Sequence, residues 1–240
     1  MPLRDELIQR AIQQLAVSFA RLLKRDAQAD AVTPEVARQA LPAAEADALR
    51  TRLDQLYSTF LGTSAQLVRR LGSEDLTLIL SSAGHVDGER AYLLSSLLET
   101  EAQLAVSLGA GAGDDEVLGL RSRALDLMLE AGSSGLGEAD IADRVARLLA
   151  GVPPGLRSAA TWERLVWFGF DTGDYARAED ALYAWLDEEQ ASGGDVAGVR
   201  SVGTNLYGRL AALEDDALAA GGLPRDELEE GSEELTGRTA

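Results

Sequence analysis

Residues 161–189 read TWERLVWFGFDTGDYARAEDALYAWLDEE. In the second half, Ala178, Leu182 and Leu186 stand four apart, the spacing of one face of an α-helix. In the first half, Trp162 and Leu165 are three apart, and Gly173 falls between the two runs. The pattern predicts two antiparallel helices joined by a tight turn. A small residue at Ala178 lets the second helix approach the first, while Trp162 and Leu165 fill the space between them.

Counted from Trp162 as the fourth position of a 34-residue unit, Leu165 takes position 7, Gly173 and Tyr175 the turn, and Ala178, Leu182 and Leu186 positions 20, 24 and 28. The stretch resembles a tetratricopeptide repeat over about 29 residues. It also departs from one. Val166 stands where position 8 is small, Gly169 where position 11 is aromatic, with Phe170 one place later. Trp185 stands where position 27 is small, and Gln190 where the repeat closes on proline. The resemblance implies that the first helix lines a concave face through Ala160, Glu163, Trp167 and Phe170.

Outward from this pair the apolar spacing stays helical. Leu94, Leu97, Leu98, Leu104 and Leu108, then Val117, Leu120, Ala124, Leu127 and Met128, predict a second pair between Gly88 and Ala131, and Val199 to Leu213 a third. At the N-terminus Ile8, Ile12, Leu15, Phe19 and Leu22 are separated by 4, 3, 4 and 3 residues, one side of a helix over about 3–24. Thr33-Pro34-Glu35, Ser73-Glu74-Asp75 and Leu223-Pro224 mark helix starts. With glycine-rich breakers between, the intervals hold about ten helices. The expected fold is all-α: an antiparallel helix-pair array over 73–213, capped by N-terminal helices within 1–72 and followed by an acidic C-terminal helix and tail over 214–240.

Composition narrows the chemistry. The 240 residues carry 40 Asp plus Glu against 22 Lys plus Arg, a net charge of −18. Residues 1–72 hold ten basic and eight acidic side chains, so +2, and the rest of the chain therefore holds −20. A field of that sign repels phosphate backbones and disfavours nucleic-acid partners. Cysteine is absent, and there is one histidine, His85, and one lysine, Lys24. Disulfides, zinc–thiolate sites and Cys nucleophiles are thereby excluded, as is a metal centre needing two imidazoles. No stretch approaches 18 uninterrupted apolar residues, and MPLRDELIQR has no apolar core of a signal peptide. The expectation is a cytoplasmic protein with no membrane partner, no metal and no cofactor.

Three local patterns invite a catalytic reading and receive a structural one. Ser81-Ser82-Ala83-Gly84-His85-Val86-Asp87 has the composition of a turn, with Asp87 an N-cap for the next helix, whereas triad members converge from separate elements. Gly109-Ala110-Gly111-Ala112-Gly113 follows a helix rather than a strand and reads as a linker. Glu179-Asp180 and Asp187-Glu188-Glu189 read as solvated carboxylates on a helix surface.

Seven of the twelve aromatic residues lie between 162 and 185: Trp162, Trp167, Phe168, Phe170, Tyr175, Tyr183 and Trp185. They form either a closed core or a groove with exposed ring area. The groove reading assigns partner binding to Glu163, Trp167 and Phe170. It makes the chain a non-enzymatic protein–protein interaction module or scaffold that takes a helix or peptide, basic in keeping with the acidic surface. Two other readings stand beside it. One is a structural homodimer through Ile8, Ile12, Leu15, Phe19 and Leu22, the other an apolar small-molecule binder built on the same aromatics.

Taken whole, the chain resembles a family of bacterial helical proteins of unknown function that pair an N-terminal amphipathic helix with tetratricopeptide-like helices. The residues bearing that resemblance are RDELIQRAIQQLAVSFARLL at 4–23, SEDLTLIL at 73–80, GDYARAEDALYAWL at 173–186 and GGLPRDELEEG at 221–231. It implies no catalytic residue and no cofactor.

Overall fold

The structure, a computed structural model, describes residues 43–82, 84–136 and 141–237. The expected helix over 3–24, its face Ile8, Ile12, Leu15, Phe19 and Leu22, and the Thr33-Pro34-Glu35 cap lie outside the described residues. Those described form an all-α protein of eleven α-helices and a two-residue antiparallel ladder. None of the helices is long and apolar enough to cross a membrane. The chain divides into two compact units, one ending at Gly151 and the other beginning at Val152.

In the first unit α1 (Ala43–Leu56) runs into a π-helical turn (Tyr57–Leu61). Two short helices follow, α2 (Ala65–Arg70) and α3 (Ser73–Leu80). The ladder β1 (Ser81–Ser82) and β2 (His85–Val86) then turns the chain into α4 (Gly88–Ser107), α5 (Asp115–Ser133) and α6 (Ile141–Gly151). The core is the hairpin of α4 on α5. Ala91, Leu94, Leu98 and Ala102 face Val117, Leu120, Ala124 and Met128, all buried. The small residues in both stripes let the helices close, and buried Ser95 donates to the Ala124 carbonyl at 2.6 Å.

Charged side chains tie the short helices to that hairpin. Arg123 on α5 donates to the carbonyls of Val68, Arg69 and Leu71 at 3.3, 2.8 and 3.0 Å, serving carbonyls at the end of α2 that lack intrahelical donors. Arg69 pairs with Glu101 of α4 and lies 3.3 Å from Asp54 of α1. Fully buried Tyr57 donates to the other oxygen of Glu101 at 3.0 Å. Burial, and then the Glu101 charge, hold the Tyr57 phenol well above its ordinary value. On α6 the buried Arg144 pairs with Glu99 at 2.8 Å and lies over the Tyr92 ring at 4.7 Å.

The second unit holds α7 (Ala159–Asp171), α8 (Tyr175–Ser192), α9 (Val196–Leu210), α10 (Asp215–Ala220) and α11 (Arg225–Gly237). Helices α7 and α8 fold back on each other. Gly173 adopts φ +74°, with its amide bonded to the Phe170 carbonyl and the Asp174 amide to the Gly169 carbonyl at 3.1 and 2.9 Å. That pair of bonds ends α7 in a Schellman motif. Asp174 then starts α8 by accepting from the Arg177 amide at 3.3 Å. The two helices cross where Gly169 meets Ala178: a methyl group at Gly169 would lie 2.7 Å from the Ala178 nitrogen and 2.9 Å from its Cα.

The span from Glu214 onward is less of a solvated tail than its charge suggests. Leu218, Leu223, Leu228 and Leu235 are buried, and α11 packs on α9 and α10. Leu228 and Leu235 are seven residues apart with Gly231 between them, one narrow face that a run of glutamates obscures in the sequence.

Gly169→Ala weighs two opposing effects. Alanine favours a helix interior by about 1 kcal/mol over glycine, but its methyl would strike backbone, and overpacking of this kind costs about 1–3 kcal/mol. We expect net destabilisation of the unit from Val152 onward. Chemical denaturation followed by tryptophan fluorescence checks it, because all three tryptophans lie there.

Candidate functional site

Helix α7 presents one face through Glu163, Trp167, Phe170 and Asp171, at spacings of four, seven and eight residues. Glu163 is exposed, and Trp167 and Phe170 are half-buried. The Trp167 and Phe170 rings meet edge to face, centroids 6.0 Å apart at 82°, the preferred geometry for an aromatic pair. Tyr175, first residue of α8, leans on Phe170 at 5.9 Å. Arg209 of α9 completes the group, its guanidinium 4.6 Å from the Trp167 centroid and 5.8 Å from that of Phe170. Asn205, one turn earlier, accepts from Arg209 Nε at 3.2 Å and aims it. Partial burial raises the Asp171 carboxyl above its usual range, and Arg209 opposes that rise. The result is an aromatic ledge with a cation on the rings and a carboxylate at each end.

The remaining aromatics of this stretch divide between core and support. Trp162, Phe168 and Trp185 are buried. Arg157 lies over the Trp162 ring at 4.8 Å, and Trp185 Nε1 donates to Glu189 at 3.1 Å. Of the three residues expected to bind a partner, Trp167 and Phe170 come together and Glu163 lies one turn away on the same face. Arg209 joins them from α9. Nothing local announces it, because its value comes from where α9 docks.

A second polar cluster joins α8, α9 and α11. The Tyr207 hydroxyl donates to Glu179 Oε1 and lies 3.5 Å from the Tyr183 hydroxyl, which donates to the Gly231 carbonyl at 2.7 Å. A methyl group at Gly231 would collide with both Glu179 and Tyr207. Glu179 is therefore half-buried and hydrogen-bonded, not the solvated surface carboxylate its sequence position suggests. Burial raises its carboxyl; the Tyr207 bond opposes that rise, and Asp180, Glu227 and Glu234 add to it. Burial and the bond to Glu179 hold the Tyr207 phenol far above its ordinary value. Glu189 is likewise occupied, accepting from the Asp195 amide at 2.8 Å as well as from Trp185.

The turn at Ser81–Asp87 is structural in its contacts. Ser81 donates to the Thr77 carbonyl, His85 is exposed in the ladder opposite Ser82, and Asp87 caps α4 through the Arg90 amide at 3.1 Å. The glycine-rich linker is closed by Asp114, which accepts from the Gly111 amide at 2.7 Å. Among the described residues no group of three or more His, Asp or Glu side chains could hold a metal ion. A groove of about 460 Å³ in the first unit is lined by Leu53, Leu104, Leu120, Arg69 and Glu101 among others. One of about 490 Å³ in the second unit is lined by Tyr207, Arg225, Leu228 and Leu235 among others. Trp167 and Phe170 line neither.

A family of unknown function (DUF6483) matches residues 3–239, and the chain belongs to that family. No curated protein and no solved structure matches it.

The Glu179 cluster gives stability a pH dependence of defined sign. A carboxyl raised in the folded state binds its proton more tightly there than in the unfolded chain, whose value is about 4.3. Its contribution is complete below that value and is lost as pH rises through the folded one. Glu179→Gln keeps an acceptor for Tyr207 and removes the titration. We expect wild type to gain stability relative to Glu179→Gln on going from neutral pH toward about pH 5. Thermal melts of both proteins across that range test the sign, the comparison cancelling the general relief of acidic repulsion.

Proposed function

We propose that this member of a family of unknown function is a non-enzymatic, tetratricopeptide-like interaction module of the cytoplasm. It would dock an apolar helix or peptide of basic character on the ledge formed by Trp167 and Phe170. The observation that carries the reading is that these two rings are half-buried and meet edge to face on the surface of α7 with Arg209 held over them. A closed core would have buried them as it buries Trp162, Phe168 and Trp185. Rigid aromatic surface beside an arginine is the composition of an interface hot spot. Glu163 and Asp171 sit where basic residues flanking an apolar anchor would meet them, and the chain's net charge of −18 steers such partners inward. The tetratricopeptide-like reading rests on the α7–α8 hairpin, on Ala178 at its crossing and on the turn through Gly173.

The Trp167→Ala, Phe170→Ala double variant tests this directly. Loss of two anchors of this kind costs about 2 kcal/mol or more each, so proteins retained by the wild-type chain from native lysate should be lost from the variant. Far-UV circular dichroism should be unchanged. Undiminished capture of the same proteins by the variant removes the ledge from consideration.

A further inference from the structure

Arg209 lies on the aromatic ledge but is loosely held there. Its guanidinium carbon is 4.6 Å from the Trp167 centroid and 5.8 Å from that of Phe170, and these two rings are inclined at 82°. One cation therefore serves two walls of a corner, each within the ~6 Å over which a ring face attracts it. Two other arginines seated on rings are tied down by strong acceptors. Arg144, over Tyr92, pairs with Glu99 at 2.8 Å. Arg157, over Trp162, donates twice to the Val152 carbonyl, at 3.2 and 2.9 Å. Arg209 is exposed, and among the described residues its side chain makes a single hydrogen bond, from Nε to Asn205. Glu163 and Asp171, four residues to either side of Trp167, are also exposed. Among the described residues neither carboxylate accepts a hydrogen bond or lies in a salt bridge, and Arg209 acts on Asp171 through its charge alone.

We propose that the corner between Trp167 and Phe170 receives an arginine side chain of the partner, and that in the free protein Arg209 occupies it as a competitor which the partner displaces. This rests on the ledge being the docking surface. The corner already seats a guanidinium, so its shape and charge suit that group. A planar guanidinium covers a ring face while its N–H edges stay free, which a compact lysine ammonium does less well. The incoming group gains what Arg209 lacks, two-point hydrogen bonding to the carboxylate of Asp171 or Glu163. Exchange also removes a conflict of charge: with Arg209 in place, the ledge repels the very partners that the acidic surface draws in. Arg209 thereby sets selectivity. A purely apolar segment brings no cation to replace it and leaves the corner closed. A site open for only a fraction of the time binds with its intrinsic affinity reduced by that fraction.

The test uses the full-length chain with ¹⁵N-labelled tryptophan and N-acetyl-arginine N-methylamide as the probe. Binding is followed by the indole signal of Trp167, assigned by its loss in Trp167→Phe. Arg209→Gln keeps the length of the side chain and removes its charge. The signals of Trp162 and Trp185, both buried, report that the fold is intact. With the corner filled about two-thirds of the time, Arg209→Gln lowers the half-saturating probe concentration about threefold. Adding Asp171→Asn to Arg209→Gln raises it again, and the uncharged citrulline analogue of the probe moves the signal in neither protein. A half-saturation in Arg209→Gln equal to or above that of wild type overturns the exchange, as does equal binding of the citrulline analogue or no shift in either protein. Binding of N-acetyl-glutamate N-methylamide that Arg209→Gln abolishes also overturns it, because Arg209 is then the recognising group. None of these outcomes decides the ledge itself, which stands or falls on capture by the Trp167→Ala, Phe170→Ala variant.

Discussion

The approach of α7 to α8 at Gly169 and Ala178 is the contact on which the second unit is built. A methyl group at Gly169 would come within 2.7 Å of the Ala178 nitrogen, so the helix backbones touch and the hairpin has one register. That register fixes which face of α8 remains for α9 and α11. The close approach recurs on that face, where a methyl at Gly203 would fall 2.6 Å from Leu235 and 2.9 Å from Leu182. The unit is thus held by a backbone contact where α7 crosses α8 and by leucine side chains of α8 and α11 seated against Gly203 of α9. Such crossings tolerate neither slippage nor added volume, because interiors are close-packed and transmit strain.

Charge is handled by the same economy. Residues from 73 onward carry −20, a self-repulsion that would oppose compaction. Many of those carboxylates are placed where backbone amides need an acceptor. Asp87, Asp174 and Asp195 each take an amide at a helix start, and Glu189 takes the amide of Asp195. A carboxylate at a helix N-terminus is favoured both by that bond and by the dipole, so part of the acidic excess stabilises local structure instead of opposing it. Glu179 serves no helix start: it is half-buried between helices, and burial pushes its carboxyl toward protonation against the opposing bond from the Tyr207 hydroxyl.

What the sequence made legible was whatever is local. Period, caps and the turn at Gly173 are set within a few residues of one another, so the hairpins of α4 with α5 and α7 with α8 could be read directly. What escaped depends on contacts distant in the chain. Glu179 looks like a surface carboxylate until α9 brings Tyr207, 28 residues later, against it. Arg209 looks like an ordinary helix cation until α9 sets it over Trp167. The C-terminal glutamates conceal a buried edge because Leu228, Gly231 and Leu235 are few and their cover lies on α9. Charge counts describe the exposed side of a helix well and its buried side poorly, since a single narrow stripe suffices for docking.

The departures of residues 161–189 from the repeat pattern acquire one physical meaning when taken together. Where that pattern carries an aromatic in the seam between its helices, this chain has Gly169, and the backbone of α8 occupies the space the ring would fill. The aromatic reappears at Phe170, rotated by about 100° around α7. That rotation sets the ring outside the seam beside Trp167, three residues earlier, where the two meet edge to face and Arg209 lies over them. Gly169 thus tightens the hairpin while Phe170 beside it furnishes the outer surface with an aromatic partner for Trp167. The residue that gives the hairpin its register and a residue of the ledge are neighbours in the chain, so added bulk at Gly169 would disturb the ledge through the backbone beneath it.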